Sequence, residues 1–409
     1  MNSFRILLSS LIVISLVLTN VKCYSPDPRV GQARILVGSN IYFFGGNTMN
    51  PRFTNQVLYL NLSSSFNITS PPWSQIAISP IPIPLHFPAS CLSTDGSTVY
   101  LVGGMSQDQQ NSSILMIPQS SVYAFNTNSL QWTTPSIINF NNTFLGREDI
   151  NSAADSNGKC YFFGGYSSKL TAETTRIIYN DTNIFDTMAM KWSTLTLPNA
   201  PFACAFCSSV LKDNLIIYIG GIGSSMNKTT AGDQIDPRSG QSAVLTQDGR
   251  IIIYGGKGTI TDIRAQPDVA VLDVNTTPYT WKAITDKAPQ SLVYHSATLY
   301  GIYMIIAFGS ITPSNQLSAS ASIILNNNLY IFNTQNYTWV NTFDATFTGI
   351  YGPNSTKSGP ISLGAKIGIG IGVVAAVGII AVVGFFLYKK FHNREGFRNS
   401  IATPGTQYI

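Results

Sequence analysis

Imidazoles, thiols and carboxylates are the side chains through which this sequence could carry out chemistry, and they are few. The three histidines are His86, His295 and His392, and no two of them stand close together in the sequence. Imidazole-rich clusters are typical ligands of copper, so this spacing indicates no evident metal site. The acidic residues are sparse and scattered, and they nominate no pair of carboxylates for glycoside hydrolysis. We therefore predict no catalytic residues, no metal and no cofactor.

The cysteines suggest structural rather than redox chemistry. Cys204 and Cys207 have the Cys-x-x-Cys spacing of redox motifs, but they lie on a predicted strand rather than at the start of a helix. Without Cys23, which falls in the predicted leader, the four remaining cysteines allow three disulfide pairings in an oxidising compartment. One expectation is a disulfide between Cys160 and the first strand of the fourth repeat unit, which is described below. Free buried thiols, Cys91 among them, are the alternative.

Both ends of the chain have the composition of membrane-targeting segments. Arg5 precedes an apolar run at residues 6–18 that is too short to span a bilayer, so residues 1–23 are predicted to be a signal peptide. Residues 367–388 carry no charge, and as a helix they would be about 33 Å long, enough for a bilayer core of about 30 Å. Basic residues follow at once, so residues 389–409 are predicted to be a cytoplasmic tail.

These segments predict a single-pass type I protein of the plasma membrane or another secretory-pathway membrane. Residues 344–366 contain Ser, Gly and Pro and are interpreted as a juxtamembrane linker. The leader and the tail account for the whole net charge of +5, so the remainder has no basic footprint for nucleic acid. Small residues recur every four positions near the span, which leaves a homodimer open. These small residues are Gly364, Gly368, Gly372 and Ala376.

Asn-x-Ser/Thr sequons are absent from the leader, the span and the tail, as expected for an extracellular region. The candidate N-glycosylation sites are Asn61, Asn67, Asn111, Asn141, Asn180, Asn227, Asn275, Asn336 and Asn354.

A six-residue apolar segment ending in two glycines recurs along the chain between the predicted signal peptide and the predicted membrane span. "IYFFGG" is its first copy, and "VYLVGG", "CYFFGG", "IIYIGG" and "IIIYGG" follow. The doublets are Gly45-Gly46, Gly103-Gly104, Gly164-Gly165, Gly220-Gly221, Gly255-Gly256 and, in a degenerate sixth copy, Gly309-Ser310. Such a period of tens of residues indicates a repeat architecture.

Each doublet stands in the same local context, which predicts a four-stranded antiparallel unit. Upstream lie a segment with small residues, such as Ala89-Ser90, and a tight-turn signal such as Asp95-Gly96. Downstream, a third strand ends in Asn or Asp, and a fourth strand opens with tryptophan. All five tryptophans of the chain occupy this position, namely Trp73, Trp132, Trp192, Trp281 and Trp339.

The doublet strands are apolar on both faces, so each sheet must be covered by its neighbours. In "IYFFGG", Ile41 and Phe43 point one way and Tyr42 and Phe44 the other. Radial stacking of such sheets is a β-propeller, in which the tryptophans would join one blade to the next. We therefore predict an all-β, six-bladed propeller over residues 24–343.

The doublet, the aromatic strand after it and the spaced tryptophan resemble the kelch-repeat family, over residues 28–343. The fourth unit departs from the pattern, because residues 222–241 are loop-like and lack recognisable outer strands. The resemblance extends to galactose oxidase, a kelch propeller, and would imply a copper site with two His and two Tyr ligands. His86 and His295 fall on the predicted first strand of their repeat units, which we call the inner strand because it would lie nearest the propeller axis. His295 stands before a pair of small residues, where kelch repeats often carry a structural histidine.

The function favoured by these features is that of a non-catalytic cell-surface kelch protein that binds an extracellular protein or glycan ligand in adhesion or surface sensing. A galactose-oxidase-like or other carbohydrate-active enzyme is the alternative. Propeller loops are natural binding sites, because rigid blades position them. The best candidates are the linkers before Trp73 and after Met105, together with residues 222–241.

Overall fold

Short β-strands make up almost all of the regular structure. The structure, a computed structural model, describes residues 24–348 except 51, 108–114, 117–121, 169–175, 196–202, 214, 224–228 and 316–322. The helical elements in these ranges are two short 3-10 segments, Asn142–Phe144 and Ala345–Thr348, and no helix there is long and apolar enough to cross a membrane. The predicted leader, span and tail, and the linker from residue 349 onward, lie outside the described residues.

The strands follow the repeat that the sequence predicts. In the first half of the chain they are β1 Ala33–Val37, β2 Asn40–Phe44, β3 Val57–Asn61, β4 Phe66–Asn67, β5 Trp73–Gln75, β6 Ala89–Leu92, β7 Thr98–Val102, β8 Ser106–Gln107, β9 Leu115–Met116, β10 Val122–Asn126, β11 Gln131–Thr133, β12 Asn151–Ala154, β13 Lys159–Phe163, β14 Tyr166–Ser168, β15 Arg176–Ile178, β16 Thr182–Asp186 and β17 Lys191–Leu195. In the second half they are β18 Cys204–Ala205, β19 Ser208–Lys212, β20 Leu215–Ile219, β21 Ile222–Gly223, β22 Thr230–Gly232, β23 Arg238–Ser239, β24 Ser242–Leu245, β25 Arg250–Tyr254, β26 Lys257–Gly258, β27 Val269–Asp273, β28 Tyr279–Ile284, β29 Leu292–Val293, β30 Ser296–Tyr300, β31 Tyr303–Ala307, β32 Ser310–Ile311, β33 Leu329–Asn333, β34 Thr338–Val340 and β35 Thr342–Phe343.

Five sheets are propeller blades. Blades 1, 2, 3 and 5 have four strands each, in the spatial orders β1-β2-β3-β5, β6-β7-β10-β11, β12-β13-β16-β17 and β30-β31-β33-β34. Blade 4 has five strands, in the order β24-β25-β27-β28-β22. Within each blade the four repeat strands pair antiparallel, as between β1, β2 and β3. The prediction of an all-β propeller is confirmed.

The predicted number of blades, six, is wrong, because the fourth repeat unit does not form a complete blade. Within the described residues, its doublet strand β20 pairs only with β19, and this hairpin lies between the inner strands of blades 3 and 4. The sequence of residues 222–241 has neither the pattern of a third strand ending in Asn or Asp nor a tryptophan. Their strand β22 instead pairs in parallel with β28, from Thr230↔Tyr279 to Gly232↔Trp281, and forms the outer edge of blade 4.

The inner strands surround a common axis, and the apolar core lies in the seams between blades. Strands β1, β6, β12, β19, β24 and β30 contact one another in this order, and β30 contacts β1. Ile41 and Phe43 are buried in the seam between blades 5 and 1, whereas Tyr42 and Phe44 are buried in the seam between blades 1 and 2. Both faces of a doublet strand are therefore covered, as the apolar pattern requires.

The glycine doublet joins each repeat unit to the next by a hydrogen bond. The first glycines of the five good copies have left-handed φ angles between 65° and 69°. The N–H of each second glycine donates to a carbonyl just before the next inner strand. These bonds run from Gly46 to Leu85 (2.8 Å), Gly104 to Arg147 (2.7 Å), Gly165 to Cys204 (3.0 Å), Gly221 to Arg238 (2.8 Å), Gly256 to Leu292 (2.8 Å) and Gly309 to Arg29 (2.8 Å).

The sixth doublet is shifted by one residue from its predicted position. Ala307 pairs with Ser296 as Phe44 pairs with Ala33, so Phe308 takes the place of the first glycine and Gly309 that of the second. Phe308 adopts the same left-handed conformation, with a φ of 65°, although it carries a side chain. Its fully buried ring packs in the seam between blades 5 and 1, which offsets the strain of that conformation.

The seam between blades 5 and 1 has an additional ladder. Strand β35 pairs with β4, the linker strand of blade 1, through Thr342↔Asn67 and Phe343↔Phe66. The rings of Phe66 and Phe343 stack with centroids 5.1 Å apart, and Phe343 is fully buried. Packing between blades, together with this ladder and the bond from Gly309, closes the ring.

Two disulfides are present in the described residues. Cys91 on β6 of blade 2 is bonded to Cys160 on β13 of blade 3, with Cα atoms 6.2 Å apart, so this bridge crosses a seam. The expectation that Cys160 bonds to the fourth repeat is wrong, since Cys204 is bonded to Cys207 instead. The inner strands β6 and β12 are neighbours, and this brings Cys91 to blade 3.

Candidate functional site

The two faces of the propeller carry different loops. The antiparallel order puts the start of every inner strand, the glycine doublets and the loops after them at one end, which we call the doublet face. The opposite end carries the turns between first and second strands and is called the turn face. The predicted binding loops are therefore divided between the faces. Ser106–Gln107 after Met105, Ile222–Gly223 and Arg238–Ser239 lie at the doublet face. Thr230–Gly232 lies beside the start of β28 near the turn face, where the linker before Trp73 also lies.

At the doublet face, one residue before each inner strand has a left-handed backbone. These residues are Gly31 (φ 66°), Phe87 (50°), Asp149 (53°), Phe206 (57°), Gly240 (68°) and Tyr294 (57°), and we call them the mouth ring. All six line a channel along the propeller axis. The sequence prediction missed them because their types differ. Their common signal is position, since each stands two residues before the Ala, Asn or Ser that opens an inner strand.

Hydrogen bonds connect successive members of the mouth ring. Backbone N–H groups donate to backbone carbonyls from Phe87 to Gly31 (2.7 Å), Asp149 to Phe87 (3.3 Å), Gly240 to Phe206 (2.9 Å) and Tyr294 to Gly240 (2.8 Å). The N–H of Phe206 instead donates to the Asp149 carboxyl group. The left-handed conformation turns these groups toward one another around the axis.

Three aromatic rings meet at the centre of the mouth ring. The centroid of Phe87 lies 6.1 Å from that of Phe206 and 5.7 Å from that of Tyr294, and the Phe206 and Tyr294 centroids are 5.2 Å apart. They come from alternate positions, and the positions between them hold two glycines and Asp149. A Cβ added to Gly240 would lie 2.8 Å from the Tyr294 ring, so glycine makes room for the aromatic cluster.

Asp149 supplies the carboxyl group of the mouth ring. Burial raises its pKa to about 8, the N–H of Phe206 acts in the opposite direction, and the nearby charge of Glu148 adds to the increase. At neutral pH Asp149 is therefore mostly protonated and can donate a hydrogen bond. Glu148 lies 3.1 Å from Nδ1 of His86 and accepts a hydrogen bond from the Tyr166 hydroxyl group at 3.4 Å.

Behind the mouth ring, small and polar side chains line an axial channel of about 180 Å³. Hydroxyl groups there connect neighbouring inner strands: Ser90 donates to the carbonyl of Arg34 at 2.6 Å, and Ser208 to that of Gln241 at 2.8 Å. The channel suits small hydrogen-bonding molecules better than apolar ones. The predicted small residues of the inner strands that line it are Ala33, Ala89, Ser90, Ser152, Ser208, Ser209, Ser242, Ala243 and Ser296.

Arg34 and His295 are the basic side chains of this channel. Burial lowers the pKa of Arg34 to about 10, so it stays charged at neutral pH. Burial, together with the charge of Arg34, lowers the pKa of His295 to about 3, and its imidazole is neutral. Nε2 of His295 lies 2.8 Å from the Ser242 hydroxyl oxygen, while Nδ1 and the Nε of Arg34 have no hydrogen-bond partner within the described residues.

The structure does not bring the histidines together as ligands. His86 pairs with Glu148 and stacks on Phe53 with centroids 4.8 Å apart, whereas His295 pairs with Ser242. In the part of the chain that the structure describes, no group of three or more His, Cys, Asp or Glu side chains could hold a metal ion. His392 lies outside it.

Each tryptophan packs against the preceding repeat unit. Trp132 contacts Phe44 of blade 1, with ring centroids 6.0 Å apart, and Trp339 contacts Tyr254 of blade 4 at 5.2 Å. The remaining three lie in the other seams: Trp73 contacts Phe308 (5.3 Å), Trp192 is buried between blades 2 and 3, and Trp281 packs in the cluster that includes Val210 of β19. All five tryptophans therefore lie in seams between repeat units.

Three buried arginines were not singled out by the sequence prediction. Their guanidinium groups donate to the carbonyl of the first glycine of the doublet in the same repeat unit. The pairs are Arg29 with Gly45 (3.2 Å), Arg147 with Gly164 (3.2 Å) and Arg238 with Gly255 (2.9 Å). A signal was present, because Asp-Pro-Arg-x-Gly-Gln occurs at both 27–32 and 236–241. These arginines stabilise the doublets that surround the mouth ring.

The predicted glycosylation sites differ in accessibility. Asn67, Asn180, Asn275 and Asn336 are exposed, and Asn61 and Asn141 are half-buried. The Asn141 side-chain amide donates to Oδ1 of the buried Asn183 at 3.3 Å, which leaves it the least available for modification. Asn111, Asn227 and Asn354 lie outside the described residues.

Comparison with known proteins agrees with this architecture. Residues 31–229 match the family model described as "KLHDC2/KLHL20/DRC7 Kelch-repeats domain". Residues 31–229 are thus similar to kelch repeats, and the described residues form a β-propeller of this kind. Rat Kelch domain-containing protein 3 is 26% identical over 203 residues, which are 47% of this chain and 48% of that protein. The human protein of the same name is 27% identical over 182 residues, 42% of this chain and 43% of its own length.

A solved structure titled "Structure of YjhT" is similar to this propeller in fold. It has a TM-score of 0.56 and 12% sequence identity, and the match covers 77% of this chain and 98% of that one. At this identity the likeness concerns the fold alone. The chain spans about half the length of the curated relatives that it matches.

Proposed function

We propose that this kelch propeller is a non-catalytic binding module displayed outside the cell, anchored by residues 367–388, and that its doublet face binds a protein or glycan ligand in adhesion or surface sensing. The observation that carries the proposal is the mouth ring. Phe87, Phe206 and Tyr294 form a rigid aromatic cluster at the centre of this face. Large aromatic side chains that lose little conformational freedom dominate the energetics of many binding interfaces.

Short ladders hold the loops around this cluster. Strand β8 pairs with β9 and β14 with β15 in the loops that follow two of the doublets. Further ladders, β18 with β21, β23 with β26 and β29 with β32, connect the loops to the residues before the inner strands. Loops fixed in this way can present side chains to a ligand at a low cost in conformational entropy.

An extracellular location is supported by the disulfide chemistry and the sequons. The bridge between Cys91 and Cys160 joins two blades, and disulfides persist mainly in oxidising compartments. Asn67, Asn275 and Asn336 lie exposed on the turn face, away from the mouth ring. Glycans at these three positions would not cover the mouth ring, whereas Asn180, which is also exposed, lies before β16 at the doublet face.

The location is tested by expressing the full chain with a C-terminal tag and labelling intact cells with an impermeant biotin reagent. We expect biotin labelling of the ectodomain, a mobility shift on enzymatic removal of N-glycans, and a tag accessible only after permeabilisation. An unglycosylated chain inaccessible from outside contradicts the proposed location.

The binding face is tested by surface proximity labelling and a glycan array with the full-length protein. The double variant Phe87→Ala/Tyr294→Ala should lose the labelled partner or the glycan signal. Met188→Ala is the matched control, because Met188 is 73% exposed on the turn face. If both variants retain the interaction, the doublet face is not the binding surface.

A further inference from the structure

In the part of the chain that the structure describes, the hairpin of the fourth repeat has one strand edge without a strand partner. In every blade, the second strand pairs over five residues with a third strand on its outer side. These pairs are β2 with β3, β7 with β10, β13 with β16, β25 with β27 and β31 with β33. Within the described residues β20 pairs only with β19. Its outer edge therefore presents backbone N–H and C=O groups without a strand partner.

The outward groups belong to Ile216, Tyr218 and Gly220. Lys212↔Leu215 closes the hairpin turn, so Ile216 and Tyr218 are the alternate residues that face away from β19. The first glycine of a doublet normally donates across this same edge. Its acceptors are Gln56 for Gly45 (3.0 Å), Asp181 for Gly164 (3.4 Å) and Asp268 for Gly255 (2.8 Å). Gly220 has no such acceptor in the ranges that the structure describes.

The neighbours of this edge are apolar on both sides. Toward blade 3 the ring of Tyr218 packs on Phe163, with centroids 4.2 Å apart. Toward blade 4, Ile217 packs against a buried cluster that includes Ile251 and Ile253. Leu215 on β20 is 53% exposed, whereas the apolar residues of β2 in the complete blade 1 are at most 7% exposed. The hairpin is thus less covered than a second strand in a complete blade.

We propose that this edge is a docking site for one extended segment of a protein partner, which adds to β20 as the missing third strand. The five existing third strands specify its chemistry, since they fill the equivalent position. Their sequences are "VLYLN", "VYAFN", "TNIFD", "VAVLD" and "LYIFN". The segment would run antiparallel to β20 over five residues, with apolar side chains toward both neighbouring blades and Asn or Asp at its end.

An extended segment suits this position better than a second propeller. The edge is recessed by two strands behind the outer edge of blade 3, which is roughly 10 Å at the usual spacing between strands. A folded copy of this chain cannot bring its own strand edge to that depth, whereas a single peptide strand can. Strand addition supplies affinity through main-chain hydrogen bonds and specificity through alternate side chains.

The test uses the purified full-length protein in detergent and a synthetic peptide of residues 267–276, which contains Val269–Asp273. A scrambled peptide is the first control. At a peptide concentration of about ten times the dissociation constant, we expect hydrogen exchange at Ile216, Tyr218 and Gly220 to slow about tenfold. A second peptide carries N-methyl groups on the backbone amides that would face β20. It should give no protection from hydrogen exchange, and this control does not depend on any variant of the protein.

Ile216→Pro removes an outward donor without removing a hydrogen bond to β19, and it should weaken peptide binding at least tenfold. Leu215→Lys is the matched control, because it changes an exposed side chain and keeps the outward groups, and it should bind normally. Slow exchange at the inward Ile217 amide in both variants shows that the hairpin is intact.

Three results would overturn the proposal. Equal binding of the scrambled or N-methylated peptide means that the peptide does not bind by pairing with β20 as a strand. Slow exchange at Ile216 and Tyr218 in the free monomer means that another part of this chain covers the edge. Slow exchange only in a dimer detected by light scattering assigns the edge to a second copy. None of these results bears on the mouth ring, so failure here is separable from failure of the proposed binding face.

Discussion

Replacing the first glycine of a doublet by alanine should destabilise the propeller far more than replacing a glycine in an exposed turn. Gly103 has a φ of 69°, and a Cβ there would lie 2.6 Å from the carbonyl oxygen of Arg147. That oxygen cannot easily move, because it accepts the seam hydrogen bond from Gly104 at 2.7 Å. Alanine in the left-handed region costs about 1–2 kcal/mol, and overpacking adds about 1–3 kcal/mol. The expected loss for Gly103→Ala is therefore about 2–5 kcal/mol.

Gly38→Ala is the matched control for this prediction. Gly38 has a φ of 58°, but a Cβ there would meet no atom within 4 Å, so only the conformational cost of about 1–2 kcal/mol remains. The effect of alanine on the unfolded chain is the same in both variants and cancels in the comparison. Urea denaturation followed by tryptophan fluorescence gives the free energy of unfolding of each. Equal losses would refute the claim that the seam carbonyl excludes a Cβ.

Three further predictions concern ionisation and the disulfide. Burial raises the pKa of Asp149 from 3.8 to about 8, so folding favours the protonated form and the free energy of unfolding falls as pH rises through this interval. In unfolding titrations at different pH values, Asp149→Asn should reduce that fall. The pKa of His295 is lowered from 6.5 to about 3, so stability falls as pH drops through that range, and His295→Gln should reduce the loss in the same assay. The disulfide between Cys91 and Cys160 spans 69 residues, so replacing both with alanine should lower the free energy of unfolding by roughly 4 kcal/mol, measured by denaturation under non-reducing conditions. Unchanged pH profiles or an unchanged denaturation midpoint would contradict the respective prediction.

The sequence predicts the propeller well because its seams are built from local, repeated patterns. Apolar residues on both faces of "IYFFGG" require two covered faces, and both seams of blade 1 contain them. The position of Phe308 could not be predicted in this way. Its place as a first glycine follows from the pairing of Ala307 with Ser296, and a phenylalanine in the left-handed region contradicts the local preference. Burial in the seam between the last and first blades outweighs that preference.

The mouth ring could not be predicted from the sequence for a different reason. Its members share a backbone conformation and a position around the axis, not a residue type, so no motif connects Gly240 with Tyr294. Only the register of the inner strands shows that the three aromatic residues occupy alternate positions, and that Gly240 leaves space for the ring of Tyr294. Candidate binding residues that are defined by their place around an axis can be recognised only when the strand register is known.

The seam hydrogen bonds show why the ring closes although the described residues of the fourth repeat form no complete blade. The bonds from Gly165 to Cys204 and from Gly221 to Arg238 join the hairpin unit to both neighbours, and neither involves a third or fourth strand. The inner strands can therefore close the ring even where the outer strands are missing. Loss of the outer strands removes apolar burial from one unit but leaves closure intact. This separation explains how the propeller closes although β20 has no third-strand partner within the described residues.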